Sequence, residues 1–374
     1  MTTKRAEAFV LRSPRTFEAR SFPMPDTGDD DGLLRIEACG LCGTDHEQYT
    51  GHVRSDCAFI PGHEVVGIIE RAGARALERW GVREGQRVAV EVFASCRTCD
   101  ACRAGIYRRC LRNGMATMVG FVDVERPPAL WGGYATHLYL PSDAMLLAVP
   151  DGMDPVLATV FNPLGAGIRW AVTVPQTKPG DIVVVLGPGI RGLCACVAAK
   201  RAGAAFVMIT GVGPGDEARL VLAGSFGADL AVDIRTVDAK QALREATGGR
   251  LADVVVDVTA KAPAAFAQAI SLAAAGGTVV VAGTRGGGGT PGFDPDHVVY
   301  KELTIRGALG VDVAAYREAL AILASGEYPF AELPREVVGF ERLEPLLQRM
   351  AGEPGAVAAA GLAPVHAVLV PDAS

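Results

Sequence analysis

The chain has 374 residues, enough for two domains of ordinary size. Hydrophobic residues make up 49% of it and charged residues 21%, which permits a large buried core and excludes a wholly disordered chain or a small disulfide scaffold. With 36 basic and 42 acidic residues the net charge is −6, and neither sign forms a long run, which argues against a general nucleic-acid binder.

The first residues, Met1-Thr2-Thr3-Lys4-Arg5-Ala6-Glu7, lead into a short apolar strand rather than a signal-type segment, so a cytoplasmic location is expected. Residues 33–38, 65–70, 87–92 and 134–140 are short apolar runs broken by Gly, Pro and Asp, spaced like the strands of a compact β-rich domain. Near residue 160 the pattern changes. Runs at 181–186, 206–210, 253–259, 278–284 and 303–309 read as buried parallel strands. Ala-rich helical stretches at 192–202, 217–226, 237–246 and 262–274 lie among them. Such alternation predicts a doubly wound α/β sheet. From about residue 312 the reading is a helix at 314–324, a helix at 340–350 and a last strand at 365–370. The Gly-rich 286–292 and the Ala/Gly-rich 352–361 read as loops. No run reaches 18 consecutive apolar residues, so no membrane span is expected.

The motifs follow in the same order. Gly40-Leu41-Cys42-Gly43-Thr44-Asp45 precedes Pro61-Gly62-His63-Glu64 by about twenty residues. A catalytic zinc site needs few protein ligands and an exchangeable position. Cys42 offers a thiolate, His63 an imidazole, and Asp45 a carboxylate that orients His63 through its other ring nitrogen. Thr44 is placed to pass a proton between a substrate oxygen and solvent.

Cys96, Cys99, Cys102 and Cys110 have the spacing C-x2-C-x2-C-x7-C. Two-residue gaps aim several sulfurs at one point and the longer gap closes the site, as a four-thiolate structural zinc requires. An iron–sulfur cluster uses overlapping spacing. In a reducing compartment such clusters are metal ligands or buried thiols rather than disulfides. Cys39 and Cys57 fall outside the first motif and read as buried or incidental; His52, His137, His297 and His366 read as structural or exposed.

Leu186-Gly187-Pro188-Gly189-Ile190-Arg191-Gly192 carries G-x-G-x-x-G between a buried run and a helix, the context of a dinucleotide fingerprint. Gly187 permits the turn, Gly189 lets backbone approach a pyrophosphate, and Gly192 allows close helix–strand packing. Backbone N–H groups at Ile190 and Arg191 then face the phosphates. The ribose-binding acid expected at the end of the second strand falls on Thr210 or Gly211, neither a carboxylate. Asp216 is available to substitute for NAD; equally, Gly211 leaves room for a 2′-phosphate, with Arg219 or Arg191 to bind it in NADP.

Together these features resemble the zinc-dependent medium-chain alcohol dehydrogenases, the group with polyol, threonine and sugar dehydrogenases. The segments that carry the resemblance are 40–45, 62–67, 96–110, 187–192 and Lys301-Glu302-Leu303-Thr304-Ile305-Arg306-Gly307. The resemblance implies a Rossmann domain at 161–307. It also implies a β-rich, GroES-like catalytic domain formed by 1–160 and 308–374, with a zinc lobe at about 94–112 and the active site in the cleft. It implies two zinc ions per chain and NAD or NADP. Cys42 and His63 match catalytic zinc ligands, Thr44 the relay hydroxyl, and Cys96, Cys99, Cys102 and Cys110 the structural site. Two departures stand out. Relatives carry Cys, Asp or Glu where this chain has Asn162, so zinc is expected on Cys42, His63 and Glu64, with Asn162 direct or through water. Many relatives carry His at the place of Glu47, so Glu47 or His46 is expected to end the proton relay.

The expected reaction is hydride transfer between an alcohol, polyol or matching carbonyl compound and NAD(P), in a homodimer or homotetramer pairing strand 303–309 with its copy. The alternatives are a reductase of the same fold without the catalytic zinc, and a non-catalytic nucleotide-binding sensor.

Overall fold

The computed structural model describes residues 4–213, 215–260, 262–285, 289–361 and 364–371, and the chain divides into two units. The first unit comprises the described residues of Met1–Phe161, Leu323–Ser325 and Phe330–Ser374; the second those of Asn162–Ile322 and Gly326–Pro329.

The first unit opens with the antiparallel pair β1 (Arg5–Ser13) and β2 (Thr16–Pro23). It continues with β3 (Gly32–Leu41), β4 (Glu64–Ala72), β5 (Arg87–Val90), β6 (His137–Leu140) and β7 (Leu146–Ala148). β3 is central: its register sets Gly40 opposite Glu64 on β4 and Gly32 opposite Leu140 on β6. Leu33, Leu34, Ile36, Val65, Ile69, Tyr134 and Leu138 form the core beneath these strands. Each large apolar side chain there is worth about 1.5–3 kcal/mol on burial.

The second unit holds β8 (Ile182–Leu186), β9 (Phe206–Gly211), β10 (Leu230–Asp233), β11 (Ala252–Asp257), β12 (Ala273–Val281) and β13 (Thr304–Gly307). They form one six-stranded sheet in the order β10-β9-β8-β11-β12-β13, every pairing parallel. A parallel strand with both faces covered reads as a continuous apolar run, and all five residues of β8 are buried. The strand order reverses between β8 and β11, and ligands of open α/β sheets bind outside the carboxyl ends of the strands at such a reversal.

The chain then returns to the first unit. β14 (Arg335–Val338) pairs with β15 (His366–Leu369), and β15 lies antiparallel to β3. The helix Phe340–Met350 buries Leu343, Leu346 and Leu347 against the first core.

Several features differ from the sequence reading, which contains neither β10 nor β14. In β10, four residues, only one of them fully buried, give no apolar run. Residues 352–361 read as a loop, yet Pro354–Ala360 is a helix, started by proline in its first turn and ended at Gly361. Alanine is the best helix former, and it prevails here over Gly355. The segment after β13 was placed with the first unit from residue 308, but the second unit extends to Ile322. There the indole N–H of Trp170 donates to the Gly310 carbonyl at 3.0 Å, and Asp312 caps the next helix by accepting from the Ala315 amide at 3.0 Å. Of the 286–292 stretch, residues 286–288 lie outside the described residues.

One helix end has an unusual cap. The Lys301 ammonium donates to the carbonyls of Ile270, Ser271 and Ala273 at 2.8, 3.1 and 2.9 Å, where the helix Ala265–Leu272 gives way to β12. A cation at a helix C-terminus satisfies orphan carbonyls and complements the dipole. Lys301→Met should cost about 2–3 kcal/mol, the scale of hydrogen bonds to a charged group. Urea unfolding checks this, and an unshifted midpoint would rule the cap out as a stabilising element.

Candidate active site and metal centres

Cys42 follows β3 directly and is the N-cap of the helix Gly43–Tyr49. Its backbone N–H donates to Asp45 Oδ2 at 2.8 Å, one half of a capping box that fixes both residues. His63 arrives from the neighbouring strand. Gly62 has φ +88°, and a Cβ there would lie 2.6 Å from the Tyr134 ring, so the turn that delivers His63 requires glycine. Because Gly40 pairs with Glu64, Cys42 and His63 come out at the same end of the β3–β4 pair.

The Cys42 sulfur lies 3.2 Å from His63 Nε2. The other ring nitrogen, Nδ1, faces Asp45 Oδ1 at 3.9 Å. Cys42, Asp45 and His63 each place one ligand atom within 4.8 Å of the others, and all three residues are buried. Sulfur and nitrogen ligands at about 2.3 and 2.0 Å from a tetrahedral ion lie about 3.5 Å apart, so the Cys42–His63 separation suits a shared metal with little adjustment. Asp45, facing the opposite ring nitrogen, stands in the position that orients a ligating imidazole.

Glu64 was expected in this set. The converging atoms among the described residues are those of Cys42, Asp45 and His63; the Glu64 carboxylate lies over Gly40, with Oε2 2.5 Å from where a Cβ of residue 40 would stand. Asn162 belongs to the second unit, where its Nδ2 donates to the Tyr316 hydroxyl at 2.7 Å. Thr44 and His46 are half-buried on the first turn of the helix, His46 folding back so that its Nε2 lies 3.9 Å from a Cβ built on Gly43; Glu47 is buried.

The four cysteines of 96–110 also converge, with one sulfur each within 4.8 Å of the others. Cys96 and Cys102 sulfurs are 3.7 Å apart, and those of Cys99 and Cys110 are 4.0 Å apart. Ligands at about 2.3 Å around a tetrahedral ion are separated by about 3.8 Å, whereas a disulfide would need about 2.05 Å. The arrangement fits zinc and not cystine. Hydrogen bonds from the Thr98 hydroxyl, then from the backbone amides of Cys99 and Thr98, pull the Cys96 thiol down to about 5, while burial pushes Cys102 up to about 11. Arg97 ties the lobe to the Ser95, Ser142 and Ala144 carbonyls, and Arg112 and Asn113 both bind Asp143.

In the second unit, Gly187 has φ +103°, and a Cβ on Gly192 would meet the Gly187 carbonyl at 1.9 Å. Gly189 is the N-cap of the helix Ile190–Arg201, with open space where its Cβ would be. This cradle fits a pyrophosphate over the helix N-terminus. Ile190 and Arg191 begin that helix, and the Arg191 guanidinium lies 5.5 Å from the centre of the Trp170 ring. Buried Thr210 and Gly211 close β9. Asp216 returns from the loop beyond, its Oδ2 accepting from the Val212 amide at 2.8 Å and its Oδ1 3.3 Å from Arg219. Sequence reasoning missed Arg235, which lies about 3.8 Å from a Cβ on Gly213 and pairs with Asp233 at 2.7 Å. Its signal was weak, a lone arginine just beyond an unrecognised strand.

Comparison with known proteins identifies the family. Residues 28–151 match the alcohol dehydrogenase GroES-like domain, and residues 192–325 match the zinc-binding dehydrogenase family. The Mycobacterium tuberculosis protein "Probable alcohol dehydrogenase adh" is 63% identical over 365 residues, covering 97% of this chain and 98% of its own. Sorbitol dehydrogenase of Bacillus subtilis is 28% identical over 349 residues, covering 92% and 93%. The solved structure of a Thermotoga maritima alcohol dehydrogenase shares the fold, with a TM-score of 0.83 at 22% identity over 99% of this chain and 100% of that one. No helix among the described residues is long and apolar enough to cross a membrane. The chain belongs to the zinc-dependent medium-chain dehydrogenase/reductase family, and is an NAD(P)-linked oxidoreductase that transfers hydride to or from a small alcohol or carbonyl compound.

Proposed function

We propose that Cys42 and His63 hold the catalytic zinc of this dehydrogenase, with the third protein ligand drawn from Glu64 or Asn162, and that Cys96, Cys99, Cys102 and Cys110 hold the structural zinc. The observation that carries the reading is the Cys42–His63 approach at 3.2 Å with Asp45 behind the imidazole. A zinc ion supplies Lewis acidity toward an alcohol or carbonyl oxygen, and the nicotinamide ring supplies the hydride donor or acceptor. The chain does the rest. Asp45 fixes the tautomer and orientation of His63. Thr44 passes the substrate hydroxyl proton along the first turn of its helix. His46, folded over Gly43 and half-exposed, delivers it to solvent more directly than buried Glu47.

The test combines a metal count with an alcohol panel followed by absorbance of the reduced nicotinamide. About two zinc ions per chain and oxidation of polyols or secondary alcohols are expected. About one zinc with retained reductase activity would replace this reading by the catalytic-zinc-free one, and loss of bound zinc in Glu64→Gln or in Asn162→Ala identifies the third ligand.

NADP is the proposed cofactor. β9 ends in Thr210-Gly211 without a carboxylate. Asp216 is already engaged by the Val212 amide and Arg219, while Arg219 and Arg235 bring two guanidinium groups to the 211–213 turn. Arg235→Ala should weaken NADPH binding by about tenfold, the loss of one charge-assisted phosphate contact, and leave NADH binding within about twofold. Equal weakening of both in a fluorescence titration would refute the assignment.

A homodimer is proposed through β13, an edge strand whose four residues are all exposed beside the exposed Val299, Tyr300 and Leu309; sedimentation of an Ile305→Lys variant as a monomer checks it. Cysteines clustered as zinc ligands rather than paired as disulfides favour a reducing, cytoplasmic setting.

A further inference from the structure

Asp257 is the last residue of β11, and it is fully buried. Its Oδ1 accepts from the Thr259 amide at 3.0 Å and the Thr259 hydroxyl at 2.6 Å. Its Oδ2 accepts from the Arg285 guanidinium. Arg285 stands just beyond β12, and its Nη1 also donates to the carbonyls of Thr259 at 2.6 Å and Gly283 at 3.0 Å. One guanidinium therefore ties together the segments that leave two neighbouring strands. The segments touch, since a Cβ on Gly283 would lie 1.8 Å from the Thr259 carbonyl oxygen. They also form a wall of the glycine loop, because the Thr259 methyl lies 3.1 Å from the Cβ position of Gly187.

Holding β11 to β12 does not require this. The two strands are already paired from Val254 and Thr278 through Asp257 and Val281, and a buried ion pair is seldom a better staple than apolar residues of the same size. Its location suggests another use. The glycine loop after β8 takes the pyrophosphate, and the end of β9 takes the adenosine ribose. The other half of a dinucleotide then extends across the reversal, over the ends of β11 and β12.

We propose that Asp257 and Arg285 are a positioning pair that holds the backbone of 258–260 and 282–284 in register to receive the nicotinamide half of the cofactor. The proposal rests on the dinucleotide reading of the second unit. Neither residue is in the proposed metal or proton-relay machinery.

The test is a fluorescence titration of the holoenzyme-competent full chain with two probes, NADPH and 2′-phospho-ADP-ribose, which lacks the nicotinamide. Arg285→Gln strands a buried carboxylate, so the paired variant Asp257→Asn with Arg285→Gln is used beside it. Both should bind NADPH about tenfold or more weakly while binding 2′-phospho-ADP-ribose within about twofold of the parent, the scale of losing a charged hydrogen-bond network. Arg285→Lys should recover part of the loss. In turnover the KM for the dinucleotide should rise more than the KM for the alcohol. Equal weakening of both probes, or no change in either, would overturn the proposal by reducing the pair to a structural staple. A parent protein that binds neither probe is titrated with NADH and ADP-ribose in their place, with the same expected difference between them; failure to bind these as well would overturn the dinucleotide reading itself, and the pair with it.

Discussion

Cys42→Ala should lower turnover by about three orders of magnitude or more, because Lewis-acid stabilisation of a developing oxyanion is worth several kcal/mol. The protein should stay folded. The backbone N–H of Cys42, not its thiol, donates to Asp45, so one half of the capping box survives. Loss of the thiol's own capping contact and its packing costs about 1 kcal/mol. Bound zinc should fall from about two to about one per chain, with the Cys96–Cys110 site still loaded. Binding of 2′-phospho-ADP-ribose should be unchanged, since the glycine loop belongs to the second unit. Metal analysis, circular dichroism and steady-state kinetics on one preparation check all three. Turnover at the parent rate would show that the Cys42–His63 pair does not carry the chemistry, however well it is shaped for a metal.

Features made by neighbours in sequence were legible, and features made by side-chain direction or long-range pairing were not. The parallel strands could be read because both their faces are buried, which leaves apolar runs such as Ile182–Leu186. The four-cysteine lobe could be read because its spacing is the site. Glu64 adjoins His63 in sequence, and adjacency alone does not fix whether its carboxylate joins the converging atoms of Cys42, Asp45 and His63. Asp216 lies five residues beyond the end of β9, and its return against Gly211 is a matter of backbone path that no sequence pattern marks. Asp257 and Arg285 are 28 residues apart, and among 42 acids and 36 bases no local pattern marks that pair. The helix Pro354–Ala360 lay in composition that serves loops and helices alike, and its proline start was the available signal.

Cys99→Ser tests the second metal in the opposite sense, since here stability should fail before chemistry does. Residues 96–112 contain little that folds alone. The regular structure is the four-residue helix Asp100–Arg103 and the turn Tyr107–Arg109, far shorter than an isolated helix needs. Arg97 sits at φ +60°, a conformation that costs about 1–3 kcal/mol for a residue other than glycine. Leu111 is 93% exposed, so the lobe has few apolar side chains of its own to bury. What draws its turns together is the convergence of four sulfurs, and structural zinc sites contribute folding energy on the order of 10 kcal/mol. A serine hydroxyl stays protonated at neutral pH and replaces a thiolate poorly. The variant should therefore lose about one zinc per chain, unfold many degrees lower, and become open to proteolysis within 97–112. Any fraction that stays folded should retain the parent kcat, because among the described residues the four sulfurs form a cluster separate from that of Cys42, Asp45 and His63. Arg112→Ala separates the metal from its docking contacts: it breaks the Arg112–Asp143 pair but leaves all four sulfurs, so zinc content should hold and stability should fall by about 1 kcal/mol at most, as for an exposed ion pair. If Cys99→Ser left both the unfolding midpoint and the zinc count at parent values, the four thiols would not be holding a structural ion. If it lowered kcat with the midpoint unmoved, the lobe would be acting on the reaction directly.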